Sequence, residues 1–145
     1  FSFIDTMWKP RRESEEYGRV VTEMTLDKDR NETIVDSATK CAAEGRSILI
    51  LSDRVGHCES LAEELIERGI KAAALVGKLS SKRRAVLIEA MNAGELRVGR
   101  IMRPAPGKQG PLVFDLRDSW GPFRGGARKR EGLYRRLGMQ RIQAA

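Results

Sequence analysis

From Asp27 onward the apolar positions switch repeatedly between two periods. Ile34, Ala38, Cys41 and Ala42 recur three and four residues apart, which predicts one buried helix face. Asp27 and Asp29 stand where an N-cap and a first-turn acid belong, and Gly45 where a helix closes on a left-handed glycine. Ser47-Ile48-Leu49-Ile50-Leu51 is nearly unbroken apolar sequence and too short for a helix, so it predicts a strand buried on both faces, as in a parallel sheet. Val55, Cys58, Leu61, Ala62, Leu65 and Ile66 form the stripe of a second helix, which stops at Gly69. A second apolar strand, Ala72 to Val76, leads through Gly77-Lys78 to Ser80-Ser81, which can cap a third helix. Val86, Leu87, Ala90 and Met91 mark its buried face and Gly94 its end, and Leu96–Val98 begins a third strand. Ahead of this series, residues 1–26 hold Pro10, a charged cluster around Arg11 to Glu16 and few periodic positions. They predict an entering strand or arm and a short helix around Tyr17–Met24.

Strands alternating with helices across loops of two to six residues predict an α/β fold: an open, mostly parallel sheet with helices on both faces. The alternation breaks after Val98. A strand is expected at Leu112–Leu116 and a basic helix from about Gly126 to Leu137, but the span between Val98 and Pro111 holds Pro104 and Pro106 and no helical period. A parallel crossover of that length is short and normally contains a helix. Either the last strands pair antiparallel, or a segment has been lost near Val98-Gly99; the lost segment is the reading adopted.

Charge changes the picture more than composition does. The 145 residues carry a net charge of +7, yet residues 1–98 hold sixteen Lys/Arg against seventeen Asp/Glu. Residues 99–145 hold eleven Lys/Arg against Asp115, Asp118 and Glu131 alone. Such asymmetry points to an anionic partner, nucleic acid or a nucleotide phosphate; a merely solvated basic helix is the plain alternative. A hydrophobic content of 41% and a charged content of 32% suit a folded, soluble chain. No run of 18 apolar residues exists to span a membrane, and the first residues lack the order of a signal peptide. A chain opening on Phe1 reads as a piece of a longer one, and Cys41 and Cys58 as buried thiols in a reducing cytoplasm.

Four features carry candidate chemistry. Gly107-Lys108 is not a phosphate-cradling P-loop, because Met102 and Gln109 occupy the places of the first glycine and the Ser/Thr. His57, the single histidine, is expected on the outward side of the second helix, with no nucleophile motif around it. Ser52, Asp53 and Arg54 sit at the carboxyl end of an expected parallel strand, where open α/β sheets place ligands and the next helix turns its N–H groups toward an anion. Gly77, Lys78 and Ser80 hold the equivalent place on the next strand, so the two loops together suggest a strip along a phosphate backbone. Arg100 and Arg103, set between a glycine and a proline, can converge on one anionic group as arginine fingers do, or form an ordinary basic pair on the surface.

The stretches SILILSDRVGHCESLAEEL, IKAAALVGKLSSKRRAVLIEAMNAGELRV and GRIMRPAPGK, in that order, resemble the C-terminal RecA-like lobe of superfamily two helicases, nearest in flavour to the DEAD/DEAH-like enzymes related to restriction translocating subunits. The likeness covers roughly residues 30–140. It implies residues 1–28 as an arm or interlobe connection and 29–145 as the lobe, in a cytoplasmic ATP-dependent helicase or translocase. The strand-end loops (Ser52, Asp53, Arg54; Gly77, Lys78, Ser80) would hold a DNA or RNA backbone, and Arg100 and Arg103 would reach the γ-phosphate of ATP across the interlobe cleft. Of the family's final Gln-x-x-Gly-Arg-x-x-Arg motif only Gly99, Arg100 and Arg103 are present, and the Thr/Gly-rich loop before it is absent. This is what a loss near Val98-Gly99 would remove. ATP and Mg²⁺ would be held mainly by an N-terminal lobe, since the chain has neither a Walker A lysine nor an Asp-Glu metal motif, and by itself it should not hydrolyse ATP. The rival class is a non-enzymatic basic module that binds nucleic acid through its C-terminal charges. A Rossmann domain is disfavoured because no Gly-x-Gly-x-x-Gly follows a strand.

Overall fold

The computed structural model describes residues 1–11, 16–46, 48–92 and 113–142. It is a mixed α/β protein: among the described residues, five helices accompany a two-stranded parallel sheet. The expected third strand at Leu96–Val98, the Val98-Gly99 break, the Gly107-Lys108 turn, Arg100 and Arg103 all lie outside the described residues. The chain divides into two compact units, Phe1–Arg30 with Gly110–Ala145, and Asn31–Gln109.

In the first unit, β1 (Ser2–Asp5) pairs in parallel with β2 (Phe114–Arg117), Ser2 facing Phe114 and Asp5 facing Arg117. Parallel strands this far apart in sequence need a crossover, and the intervening helices belong to it by chain order. The antiparallel alternative concerned the pairing of Leu96–Val98 with this last strand, and Leu96–Val98 lies outside the described residues. Helix α5 (Gly121–Arg136) packs on the sheet through Ala127, which is buried with Phe1 and Phe3 while Val113, Tyr134 and Met139 pack around them. Helix α1 (Tyr17–Thr25) buries Val20 and Val21, close to the predicted Tyr17–Met24. Trp8 stacks on Phe123 at 5.9 Å, and Trp120 and Tyr17 meet the same ring edge-on.

Helix α5 begins at Gly121, about one turn before the expected Gly126. Pro122 lies in its first turn, where a proline loses no hydrogen bond, and neither Gly125 nor Gly126 adopts a positive φ that would break the helix. Three polar clasps hold the sheet. Arg130 grips Asp115 through two bonds of 2.7 Å, with the Tyr134 hydroxyl donating to the same carboxylate at 2.9 Å. Burial, with that carboxylate beside it, pushes the Tyr134 phenol above its usual pKa. Arg117 forks onto Asp5, its Nη2 donating to Oδ2 at 2.7 Å. Arg30 forks onto Asp118, and the Thr6 hydroxyl donates to the same acid at 2.6 Å.

Helix α2 (Lys28–Ala43) starts as expected: Asp27 Oδ1 accepts from the Arg30 N–H at 2.8 Å. In the second unit its buried face is Ile34, Val35, Ala38 and Cys41. Helix α3 (Val55–Glu67) adds Leu61 and Leu65, and helix α4 (Ser81–Asn92) follows. Gly45 and Gly69 close α2 and α3 at φ +78°, a conformation costly to any side chain. A Cβ at Gly69 would meet no atom within 4 Å, so the penalty is conformational alone. Gly69→Ala is expected to lower stability by about 1 kcal/mol, read as a shift in urea midpoint at unchanged slope; an unshifted midpoint would contradict the assigned C-cap.

The two buried strands expected in this unit are not realised among the described residues. Ile48 makes an isolated bridge, and residues 71–76 run without a ladder. Leu49 and Leu75 are exposed, and Leu51 is 84% exposed. The described part of the sheet is therefore the β1–β2 pair. Helix α4 departs too, for Val86 is exposed and Leu87 and Ala90 are only half-buried.

Candidate nucleic-acid interface

The Ser52–Arg54 loop delivers the chain to the N-terminus of α3. Arg54 is the N-cap in extended backbone, contributes no side-chain cap, and no acid occupies the first turn of α3. The loop is held from within. Ser52 Oγ accepts the Arg54 N–H at 3.2 Å and lies 2.9 Å from His57 Nδ1. The other ring nitrogen, Nε2, lies 2.9 Å from Asn31 Oδ1. An amide oxygen only accepts, so Nε2 donates to it, and in the neutral ring Nδ1 accepts from the Ser52 hydroxyl.

This corrects the expectation for His57, which is 7% exposed rather than outward. The reason is that both ring nitrogens find partners, one in the adjoining loop and one on α2, so burial leaves no polar atom unsatisfied. Its spacing was the signal, since His57, Leu61 and Leu65 follow one another at four residues and all face inward. Val55 and Ile66, expected on that stripe, are exposed instead. Asn31 is the other residue that sequence reasoning missed; one amide in the first turns of a polar helix carries no distinguishing pattern.

The second loop is a tight turn in which the Leu79 N–H bonds the Val76 carbonyl at 3.2 Å. Ser80 caps α4 as predicted, its Oγ accepting the Arg83 N–H at 3.3 Å, and Arg84 Nη2 reaches back to the Val76 carbonyl at 3.4 Å. Lys78 pairs with Glu59 of α3 at 2.6 Å, which ties this turn to the helix that the first loop enters. Gly77 has no positive φ, and a Cβ there would meet nothing within 4 Å. The fold thus imposes no glycine at this position, whereas close approach of another molecule would.

The structure therefore brings Ser52, Arg54, Gly77, Lys78 and Ser80 into one unit around α3 and the start of α4. It commits both serine hydroxyls internally, and Asp53 stands exposed beside Arg54. Lys78 is engaged by Glu59, so a phosphate here would meet backbone N–H groups and the exposed cations of the first turn of α4. The first turn of α4 holds Lys82, Arg83 and Arg84 and no acid. Positive charge at the positive end of a helix dipole is unfavourable by itself and favourable beside an anion. Among the described residues no group of three His, Cys, Asp or Glu side chains could hold a metal ion, and no helix is long and apolar enough to cross a membrane. No protein-family model, curated protein or solved structure matches this chain.

Proposed function

We propose that this chain is a RecA-like lobe of an ATP-dependent helicase or translocase, one whose Ser52–Arg54 and Gly77–Ser80 loops track a nucleic-acid backbone. The observation that carries the reading is Lys82-Arg83-Arg84, three cations in a first turn of α4 that holds no acid, with Lys78 just before them on Glu59. The alternation of helices with a parallel β1–β2 pair in a mixed α/β chain is compatible with such a lobe. In a longer polypeptide ATP and Mg²⁺ would sit on a second lobe, and Arg100 and Arg103 would neutralise charge on the transferred phosphoryl group.

Backbone contacts position without reading sequence, so binding should be sequence-tolerant and weaken steeply with salt. Arg54→Ala and Lys78→Ala are each expected to reduce the log–log salt slope for a labelled 20-nucleotide single strand by about 0.7. Fluorescence anisotropy over a salt series measures it. Slopes unchanged in both variants would remove these loops from the interface.

A further inference from the structure

The densest uncommitted charge in the described structure lies on α5, in the first unit, away in sequence from both loops just discussed. Arg124, Arg128, Lys129, Arg135 and Arg136 are all exposed. Arg135 is held by Glu131 at 2.9 Å; Arg124, Arg128, Lys129 and Arg136 have no carboxylate within ion-pair distance among the described residues. Their arrangement is regular. At 3.6 residues per turn, Arg124, Arg128 and Arg135 fall within about 40° of one another around the helix, and Lys129 and Arg136 within about 20°. Between these rows, in a sector about 40° wide, lie Gly121, Gly125 and Gly132.

Those glycines distinguish the face from a merely solvated one. A helix interior glycine costs about 0.5–1 kcal/mol relative to alanine. Gly126 has an internal reason: a Cβ there would stand 3.2 Å from Arg130 Nη1, the guanidinium that clasps Asp115. Gly125 has none. It has no positive φ, and a Cβ would meet nothing within 4 Å; at Gly132 only the end of Arg136 comes as near as 3.9 Å. The two cationic rows, with a floor stripped of side chains between them, form a trough about 18 Å long from Arg124 to Arg136.

We propose that this trough is a second nucleic-acid contact, independent of the loops of the other unit, in which a phosphodiester backbone lies along α5 between the two rows. Its length matches about five nucleotide steps of a duplex strand at 3.4 Å each. Four of its five cations are arginines, whose planar donors suit phosphate oxygens. A membrane surface is the poorer partner, because an interfacial helix must free its apolar face, and that of α5 is spent on Phe1 and Phe3 through Ala127 and Tyr134.

The test uses the whole chain and a labelled 20-nucleotide strand, single and in duplex. The triple variant Arg124→Ala, Arg128→Ala, Lys129→Ala is expected to reduce the single-strand salt slope by about 2 and affinity by about tenfold or more at low salt. Gly125→Leu keeps the charge and improves helix propensity, so it is expected to raise the melting temperature while weakening binding about tenfold. A purely structural role for Gly125 would not produce that opposition. Wild-type slope in the triple variant overturns the proposal, as does wild-type affinity in Gly125→Leu. Poly-glutamate competing as well as the oligonucleotide, or phosphatidylserine vesicles bound as tightly, would also overturn the phosphodiester assignment. If Arg54→Ala and Lys78→Ala lose slope while the α5 variants do not, the loops stand and the trough falls; the converse result leaves the trough and removes the loops.

Discussion

Asp118→Ala is expected to cost about 3–5 kcal/mol of stability, which can be most of what a domain this size possesses. Asp118 is 4% exposed and lies just past β2, where one carboxylate accepts Arg30 Nε at 2.8 Å, Arg30 Nη2 at 3.3 Å and the Thr6 hydroxyl at 2.6 Å. Arg30 is itself 9% exposed, so removing the acid leaves a buried guanidinium with no counter-charge. Neighbouring bonds brace the same corner: the Ser119 hydroxyl donates to the Thr6 carbonyl at 2.8 Å, and its N–H to the Trp8 carbonyl at 3.1 Å. Exchanging both partners, Arg30→Met with Asp118→Leu, should be far milder, since an apolar pair of similar volume escapes the desolvation of two charges. Urea unfolding of the two single variants and the double one measures the coupling. A loss below about 1 kcal/mol in Asp118→Ala would mean that the clasp is a surface ornament rather than an anchor of this unit.

The second large effect concerns turnover. In a polypeptide that joins this chain to an ATP-binding lobe, Arg103→Ala is expected to reduce ATP hydrolysis by about 10³–10⁵, the range such a residue contributes in GTPases. Arginine acts there through fixed charge on the transition state, so the loss should fall on kcat more than on KM. Arg103→Lys should recover little, because a single ammonium lacks the planar pair of donors. Near-normal turnover in Arg103→Ala would end the finger assignment and favour a module that binds without catalysis.

How far the sequence alone could lead is best seen helix by helix. Helices α2 and α3 and the start of α4 were legible because their signals are local. Asp27 and Ser80 supply caps that satisfy orphan N–H groups within three residues, and Gly45 and Gly69 supply the left-handed stops. The charge asymmetry was legible for the same reason, being a property of composition. The start of α5 was misplaced because the Gly125-Gly126 pair looks like a boundary, whereas Pro122 in the first turn is the true signal. Strands were the weak point. A run such as Ile48–Leu51 states only that it tolerates burial, and a ladder needs a partner from elsewhere in the chain. Here the pairing went to Ser2–Asp5 with Phe114–Arg117, two segments with more than a hundred residues between them, and Leu51 stayed exposed. The two candidate loops divide the same way. Their residues and helix N-termini could be named from spacing, but the inward turn of His57 to Ser52 and Asn31, and the pairing of Lys78 with Glu59, could not. Local caps, stops and charge belong to the sequence because neighbouring residues decide them. Strand partners, buried ion pairs and the direction of a polar side chain belong to the tertiary structure, because their energy depends on groups that only the folded chain brings within hydrogen-bond distance.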